Sequence, residues 1–290
     1  MSKITVIIPS LVDVDKHYLK VCVDSLRTSG FDGDITVVAN GTKSTSPLYD
    51  MDIPGITKLL TTTQQGQCNA VNIGASAVEG DCKYLMVVNS DMYFSPGWNK
   101  NLKLYIDAET GKFENMCLSP VLVEPTNNNG SADPFIKFDG GYNLDEFKPE
   151  EIDKFIKDSI DSMDDKQAVE AGFNLPFIID IELWRTIKGY DTKYDPWGSN
   201  SDTDLQTLIN IAGVTPMRMR DVMVYHFSNK SGTFDGTHQE DWQRNFDYYR
   251  TKFGYTRDDE PQADVWYNKN MVLEDKLIFH PEWEGKYADS

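Results

Sequence analysis

The chain has 290 residues, a formal net charge of −18, 40% hydrophobic and 26% charged residues. That is long enough to bury a core without disulfides, as one large α/β domain or two small ones. So much acid repels other polyanions and argues against a broad nucleic-acid face, because Lys and Arg contacts to phosphate supply most of that affinity.

The N-terminal segment MSKITVIIPS has too short an apolar run for a signal peptide, and no window of the chain is apolar for the length a bilayer requires. The expectation is a soluble, cytoplasmic protein. The β-branched run Ile4 to Ser10 predicts a buried strand. His17 to Ser29 reads as a helix, with Leu19, Val23 and Leu26 at helical spacing and Gly30 at its end. Ile35 to Val38 predicts a second strand that closes on Asn40-Gly41, and Thr57 to Leu60 a short third. Gln67 to Val78 is helical with a small-residue face. Tyr84 to Val88 is the clearest strand and runs directly into Asn89-Ser90-Asp91. A helix follows over Trp98 to Ile106. Strands alternating with helices predict an open, mostly parallel sheet, whose ligands bind at the carboxyl ends of its strands.

The middle of the chain changes character. Turn-rich Asn127 to Gly130 and Asp139 to Gly141 lead into an acidic stretch, Leu144 to Glu170, with a helix near Glu151 to Ile160. It reads as a solvent-facing insert on the same domain. Beyond it come a strand, Phe177 to Ile181, and a short helix, Glu182 to Ile187, capped by Gly189. Leu205, Leu208, Ile209 and Ala212 mark one face of a helix ended by Gly213, with Asp202 and Asp204 at its amino end. An alternating strand then delivers His226, and a last helix spans Asp241 to Phe253. Cys22, Cys68, Cys82 and Cys117 lack metal-ligand spacing and read as reduced, packed thiols.

Four side chains stand where chemistry is possible. Asp91, at a strand end in a polar loop, suits a hard cation that wants oxygen ligands; it equally suits a turn cap. Asp202 reads as a general base for a hydroxyl nucleophile, or as a helix-capping carboxylate. His226 ends a strand beside a glycine-containing loop and is either a ligand or a structural histidine. Lys230 in that loop reads as a phosphate contact or as an exposed lysine. No G-x-G-x-x-G follows the first strand, which argues against a dinucleotide-dependent oxidoreductase. The segment LVDVDKHY is neither glycine-rich nor basic, which argues against a nucleotidyltransferase.

Taken in order, ITVIIPS, DITVVANGT, GQCNAVNIGASAVEGDCKYLMVVNSDM, WGSNSDTDLQTLINIAG and VMVYHFS resemble the motifs of the family-2 glycosyltransferases and their GT-A relatives, over about residues 3 to 230. The resemblance implies a GT-A fold: a Rossmann-like open sheet, mostly parallel and flanked by helices, with an acidic insert and a C-terminal helical extension. It implies a catalytic domain over 1–235, with a nucleotide-binding half 1–110, an acceptor half 111–235 and the insert at about 140–170. Residues 236–290 would extend that domain. The implied activity is transfer of a sugar from a nucleotide-diphosphate donor to an acceptor hydroxyl, inverting and metal-dependent. A retaining transferase and a non-catalytic sugar-nucleotide or glycan binder are the alternatives.

Carried across residue by residue, Pro9, Ser10, Asn40 and Gly41 line the nucleoside pocket and Asn72 faces the nucleotide. Asn89, Ser90 and Asp91 form the DxD-like motif. Asp91 and His226 hold Mn2+ or Mg2+, Lys230 meets phosphate, and Asp202 is the base. Ala39 stands where the family has an Asp, Asn89 replaces the first Asp of DxD, and Ser201 replaces a Glu. With Asn89 uncharged, metal affinity without nucleotide should be weak. The acceptor is left open: a glycan, a lipid-linked sugar, a protein or a modified nucleotide.

Overall fold

The computed structural model describes residues 3–42, 53–106, 116–125, 135–170, 175–228, 230, 237–254 and 271–277. Strands β1 (Lys3–Ser10), β2 (Asp34–Ala39), β3 (Lys58–Thr61) and β4 (Cys82–Val87) form one side of a mixed sheet. β1 pairs parallel with both β2 and β4, and β2 pairs parallel with β3. These strands are apolar because helices cover them. Helix α1 (Val12–Thr28) buries Leu19, Cys22, Val23 and Leu26 completely, one stripe at i, i+3, i+4 and i+7. Helix α2 (Gln67–Ser76) comes close enough to the sheet that a Cβ on Gly74 would fall 2.5 Å from Ile7 Cγ2. The small-residue face is thus an approach surface.

The other side contains β5 (Met92–Tyr93), β6 (Cys117–Glu124), β7 (Phe135–Lys137), β8 (Val169–Glu170), β9 (Phe177–Asp180) and β10 (Met217–His226). The sheet order is β3-β2-β1-β4-β9-β6-β10-β5, with β7 beside β6 and β8 beside β10. β9 is antiparallel to both β4 and β6, so it joins the parallel strands β1 to β4 to the side built on the parallel pair β6 and β10. The pattern Phe177 to Ile181 was expected as a strand, and it ends one residue earlier. There Asp180 accepts the Glu182 and Leu183 amides as the N-cap of α5 (Ile181–Ile187).

β6 has no counterpart among the expected elements, although every residue of it is buried. Pro120 in its middle argues against a central strand. The structure accommodates it beside a bulge in β10, where the pairing register shifts between Met219 and Met223.

The acidic insert is not simply solvent-facing. Its helix α4 (Pro149–Asp161) sends Ile152 and Ile156 into a second apolar cluster with Val123, Met223, Tyr225 and Phe227. Phe155 stacks on Phe138 with centroids 4.2 Å apart. Only the opposite face is the solvated acidic one, with Lys154–Asp158 and Lys157–Asp161 pairs. Helix α3 (Trp98–Ile106) packs on β10, and α6 (Ser201–Ile211) carries Asp202 at its start. Helix α7 (Gln239–Phe253) docks through Tyr249, Phe253 and a polar network described below. Residues 127–130 lie outside the described residues, as does most of the extension beyond α7. All four cysteines are buried and none is in a disulfide. No described helix is long and apolar enough to cross a membrane.

Candidate active-site cleft

A cleft of about 190 Å³ opens at the carboxyl ends of β1, β2, β4 and β10. One wall comes from Pro9, Asn40, Gln65 and Gln67, the floor from Asn89, Ser90, Asp91 and His226, and the opposite wall from Pro196, Trp197, Gly198 and Asp202. Three residues singled out for chemistry therefore share one concavity: Asp91, Asp202 and His226.

Strand pairing sets the floor. The loop after β4 turns into β5, which pairs antiparallel with β10 so that Met92 lies opposite His226. The Phe227 amide donates to the Asp91 carbonyl at 3.0 Å. Asp91 Oδ1 then lies 3.3 Å from His226 Nε2. On the other side of the ring, Nδ1 is 2.8 Å from Glu124 Oε1, at the end of β6. The Lys230 backbone amide donates to Asp91 Oδ2 at 3.3 Å. Burial opposes charge on His226, but the carboxylates of Asp91 and Glu124 outweigh it and push the imidazole up to about 10. Burial likewise raises Asp91, and the histidine beside it brings the net shift below the usual carboxylate value.

Only with His226 deprotonated could this donor set hold a divalent cation, because an imidazolium has no free lone pair. A carboxylate and an imidazole face each other, and the imidazole's far nitrogen is oriented by a second carboxylate, as in metal-ligating histidines. Among the described residues no cluster of three or more metal-ligating side chains exists. Further ligands would have to come from a bound diphosphate or water.

Asp202 sits across the cleft. The Tyr190 hydroxyl donates to its Oδ1 at 2.7 Å. Burial lifts its pKa, the Tyr190 bond pulls it back, and the net result is above the usual carboxylate range. Its neighbour Asp204 is not a capping residue. It is buried, accepts from Tyr194 Oη at 2.8 Å and pairs with Lys252 Nζ at 2.7 Å.

Several expected contacts are reassigned. Asn72 is fully buried behind the wall; its side chain donates to the Tyr190 carbonyl at 2.7 Å and accepts from the Tyr190 amide at 3.0 Å. It therefore holds the segment around Tyr190 against α2 and does not face the cleft. Ser10 is buried and donates its hydroxyl to Asp15 Oδ1 at 2.6 Å, so it braces the wall from behind. Ser90 lines the cleft, but its hydroxyl is bonded to the other oxygen of Asp15. Gly41 has a φ of +66° and serves the turn after β2. The Lys230 ammonium lies over the Tyr142 ring, 3.2 Å from its centroid. Pro9, Asn40 and Asn89 do line the cleft.

Sequence reasoning missed Glu124, Asp15, Tyr190, Asp195, Gln65, Gln67 and Trp197. Glu124 had a readable signal: VLVE repeats the form of an apolar strand closing on a polar residue. Asp195 had none, because the Cys68 and Asn69 amides it accepts from are distant in the chain.

Residues 5–116 match the family model described as Glycosyl transferase family 2. No curated protein matches the chain in sequence. Among solved structures, S. aureus TarS 1–349 is similar over 94% of this chain and 70% of its own, with 14% identity and a TM-score of 0.57. The same fragment in complex with UDP-GlcNAc is similar over 90% and 69%, at 14% identity and a TM-score of 0.55. GalNAc-T7 with UDP, GalNAc and Mn2+ is similar over 78% of this chain and 44% of its own, at 14% identity and a TM-score of 0.53. These likenesses establish the GT-A fold. The family match over residues 5–116 falls on the half that carries β1 to β5.

Proposed function

We propose that the chain catalyses metal-dependent, inverting transfer of a sugar from a nucleoside diphosphate to an acceptor hydroxyl, with Asp202 as the base. The observation that carries this reading is the meeting of Asp202 and the Asp91–His226 pair across one cleft. Asp91 and His226 are the residues that would hold Mn2+ or Mg2+, with Glu124 orienting the histidine. When bound, that ion supplies charge to stabilise the departing diphosphate. The two solved relatives carry UDP-GlcNAc and UDP with Mn2+, which supports a uridine donor as the first to test.

In the proposed step the carboxylate of Asp202 takes the proton of the acceptor hydroxyl. The hydroxyl oxygen bonds to the anomeric carbon on the face opposite the leaving group. The bond from that carbon to the diphosphate oxygen breaks, and its electron pair leaves with the nucleoside diphosphate. Tyr190 occupies one oxygen of Asp202 and fixes the carboxylate plane. Pro9, Asn40, Gln65 and Gln67 form the wall available to the nucleoside.

The test is turnover of UDP-sugars with Mn2+, Mg2+ or EDTA, in wild type and Asp202→Ala. Removing the base should lower the rate by about 10²–10⁴-fold. Full activity in the variant, or in EDTA, would sink the base or the metal respectively.

A further inference from the structure

We propose that Asp195 is a positioning residue that couples the two walls of the cleft by fastening the segment leading to Asp202 onto the first turn of α2. The contact stands on its own geometry; its kinetic consequence rests on the nucleotide-sugar reading above.

Helix α2 starts after Gly66 with no side-chain cap of its own and no acidic residue in its first turn. Its open amides are taken from far away in the chain. Asp195 Oδ1 accepts from the Cys68 amide at 3.1 Å, and Oδ2 from the Asn69 amide at 2.9 Å. A carboxylate on a helix N-terminus makes charge-assisted bonds that the helix dipole favours. Gly66 makes the approach possible: it has a φ of +152°, and a Cβ there would collide with the Asp195 carboxylate.

Each end of this contact leads into the cleft. On one side, Gln65 and Gln67 flank Gly66 and line the wall. The Gly66 amide donates to Asn40 Oδ1 at 3.1 Å, and Asn40 Nδ2 donates to the Ser10 carbonyl at 3.1 Å. On the other side, Pro196, Trp197 and Gly198 follow Asp195 directly and line the facing wall. The Gly198 amide donates to the Tyr194 carbonyl at 2.9 Å and the Ser201 amide to the Gly198 carbonyl at 3.0 Å, which carries the constraint to Asp202. The Asp195 carboxylate, with the Asn72–Tyr190 bonds one turn further along α2, therefore sets the distance between Gln65–Gln67 and Trp197–Asp202.

The experiment compares wild type, Asp195→Ala and Asp195→Asn by hydrogen exchange, by UDP binding with Mn2+ and by turnover of UDP-GlcNAc. In Asp195→Ala the Cys68 and Asn69 amides should lose protection. UDP affinity should weaken about tenfold, as expected for losing hydrogen bonds to a charged group. The rate should fall about 10²-fold, the usual result of displacing a reacting group by about 1 Å. Asp195→Asn keeps one acceptor oxygen and should recover part of all three. A cap that only stabilises α2 would lower the unfolding temperature and leave UDP affinity and rate at wild-type values, which would overturn the coupling. If Asp195→Ala does not fold, wild-type behaviour in Asp195→Asn overturns it equally. Failure of the wild type to bind UDP would overturn the nucleotide reading and the kinetic role with it, while amide exchange separately decides the contact.

Discussion

The two halves of the sheet are held together by different means. β1 to β4 are built with α1 and α2 as successive βα units, and their contacts are almost wholly apolar: Val6, Ile7, Ile8, Val37, Val38, Leu85 and Val87 are all fully buried. The half built on β6, β9 and β10 relies on partners drawn from distant segments. Lys252 of α7 reaches both Asp191 and Asp204, at 3.1 Å and 2.7 Å, with all three side chains buried. Tyr248 Oη donates to Asp191 Oδ2 at 2.8 Å, and Asn245 Nδ2 donates to the Tyr194 carbonyl at 2.8 Å. An apolar core degrades gradually as side chains shrink, because neighbours relax into part of the space. A buried charge network fails abruptly when one member is lost, because the remaining charge has no solvent. The segment 190–204, which carries Asp202, hangs on the second kind of support.

That contrast can be broken most directly at Lys252. Lys252→Met strands two buried carboxylates and should cost about 3–5 kcal/mol in urea unfolding. A loss below about 1 kcal/mol, the worth of an exposed pair, would show that the network is not what holds α7. On the apolar side, Gly74→Ala drives a methyl against Ile7. Overpacking of this kind costs about 1–3 kcal/mol, more than the gain of up to about 1 kcal/mol in helix propensity. An unfolding temperature equal to or above wild type would mean that α2 does not press on β1 as closely as the geometry states.

Two smaller effects sharpen the comparison at the cleft itself. Glu124→Gln keeps the shape of β6 but removes the carboxylate that orients His226. Mn2+ affinity, measured with UDP present, should drop about 10–100-fold, and the unfolding temperature should fall because a buried partner of His226 is lost; unchanged affinity would detach Glu124 from the ion. Asp202 offers a pH test. Its folded pKa lies above its unfolded value, so its protonated form favours the folded state. That contribution is complete below about pH 3.8 and is lost as pH rises through the raised folded value. Asp202→Asn should therefore raise the unfolding temperature at pH 7 and leave it nearly unchanged near pH 4. In the wild type, activity should climb with pH through the same raised value, since the base acts ionised. Equal unfolding temperatures of variant and wild type at pH 7 would contradict a carboxylate whose charge is disfavoured by desolvation.

The same division explains what could be read in advance. β1, β2, β4 and their helices announce themselves because apolar periodicity is a local property of the chain. Asp91, Asp202 and His226 were legible because each follows a strand or opens a helix. β6 was hidden by Pro120, whose cost is removed only by a bulge in a strand about a hundred residues later. Glu124 was hidden along with it. The family resemblance implied that Asn72 and Ser10 meet the nucleotide; their hydrogen bonds go to Tyr190 and Asp15.

Sequence alone thus determined the alternation of strands and helices, the polar ends of the strands and three residues of the candidate site. It could do so because side-chain period and burial are imposed residue by residue along the chain. Only the tertiary structure decided that β9 joins the two halves antiparallel, that Glu124 stands behind His226, and that Asp195 and Lys252 brace the segment carrying Asp202. Those contacts depend on which distant groups meet, and no spacing along the chain encodes a partner for a buried polar atom.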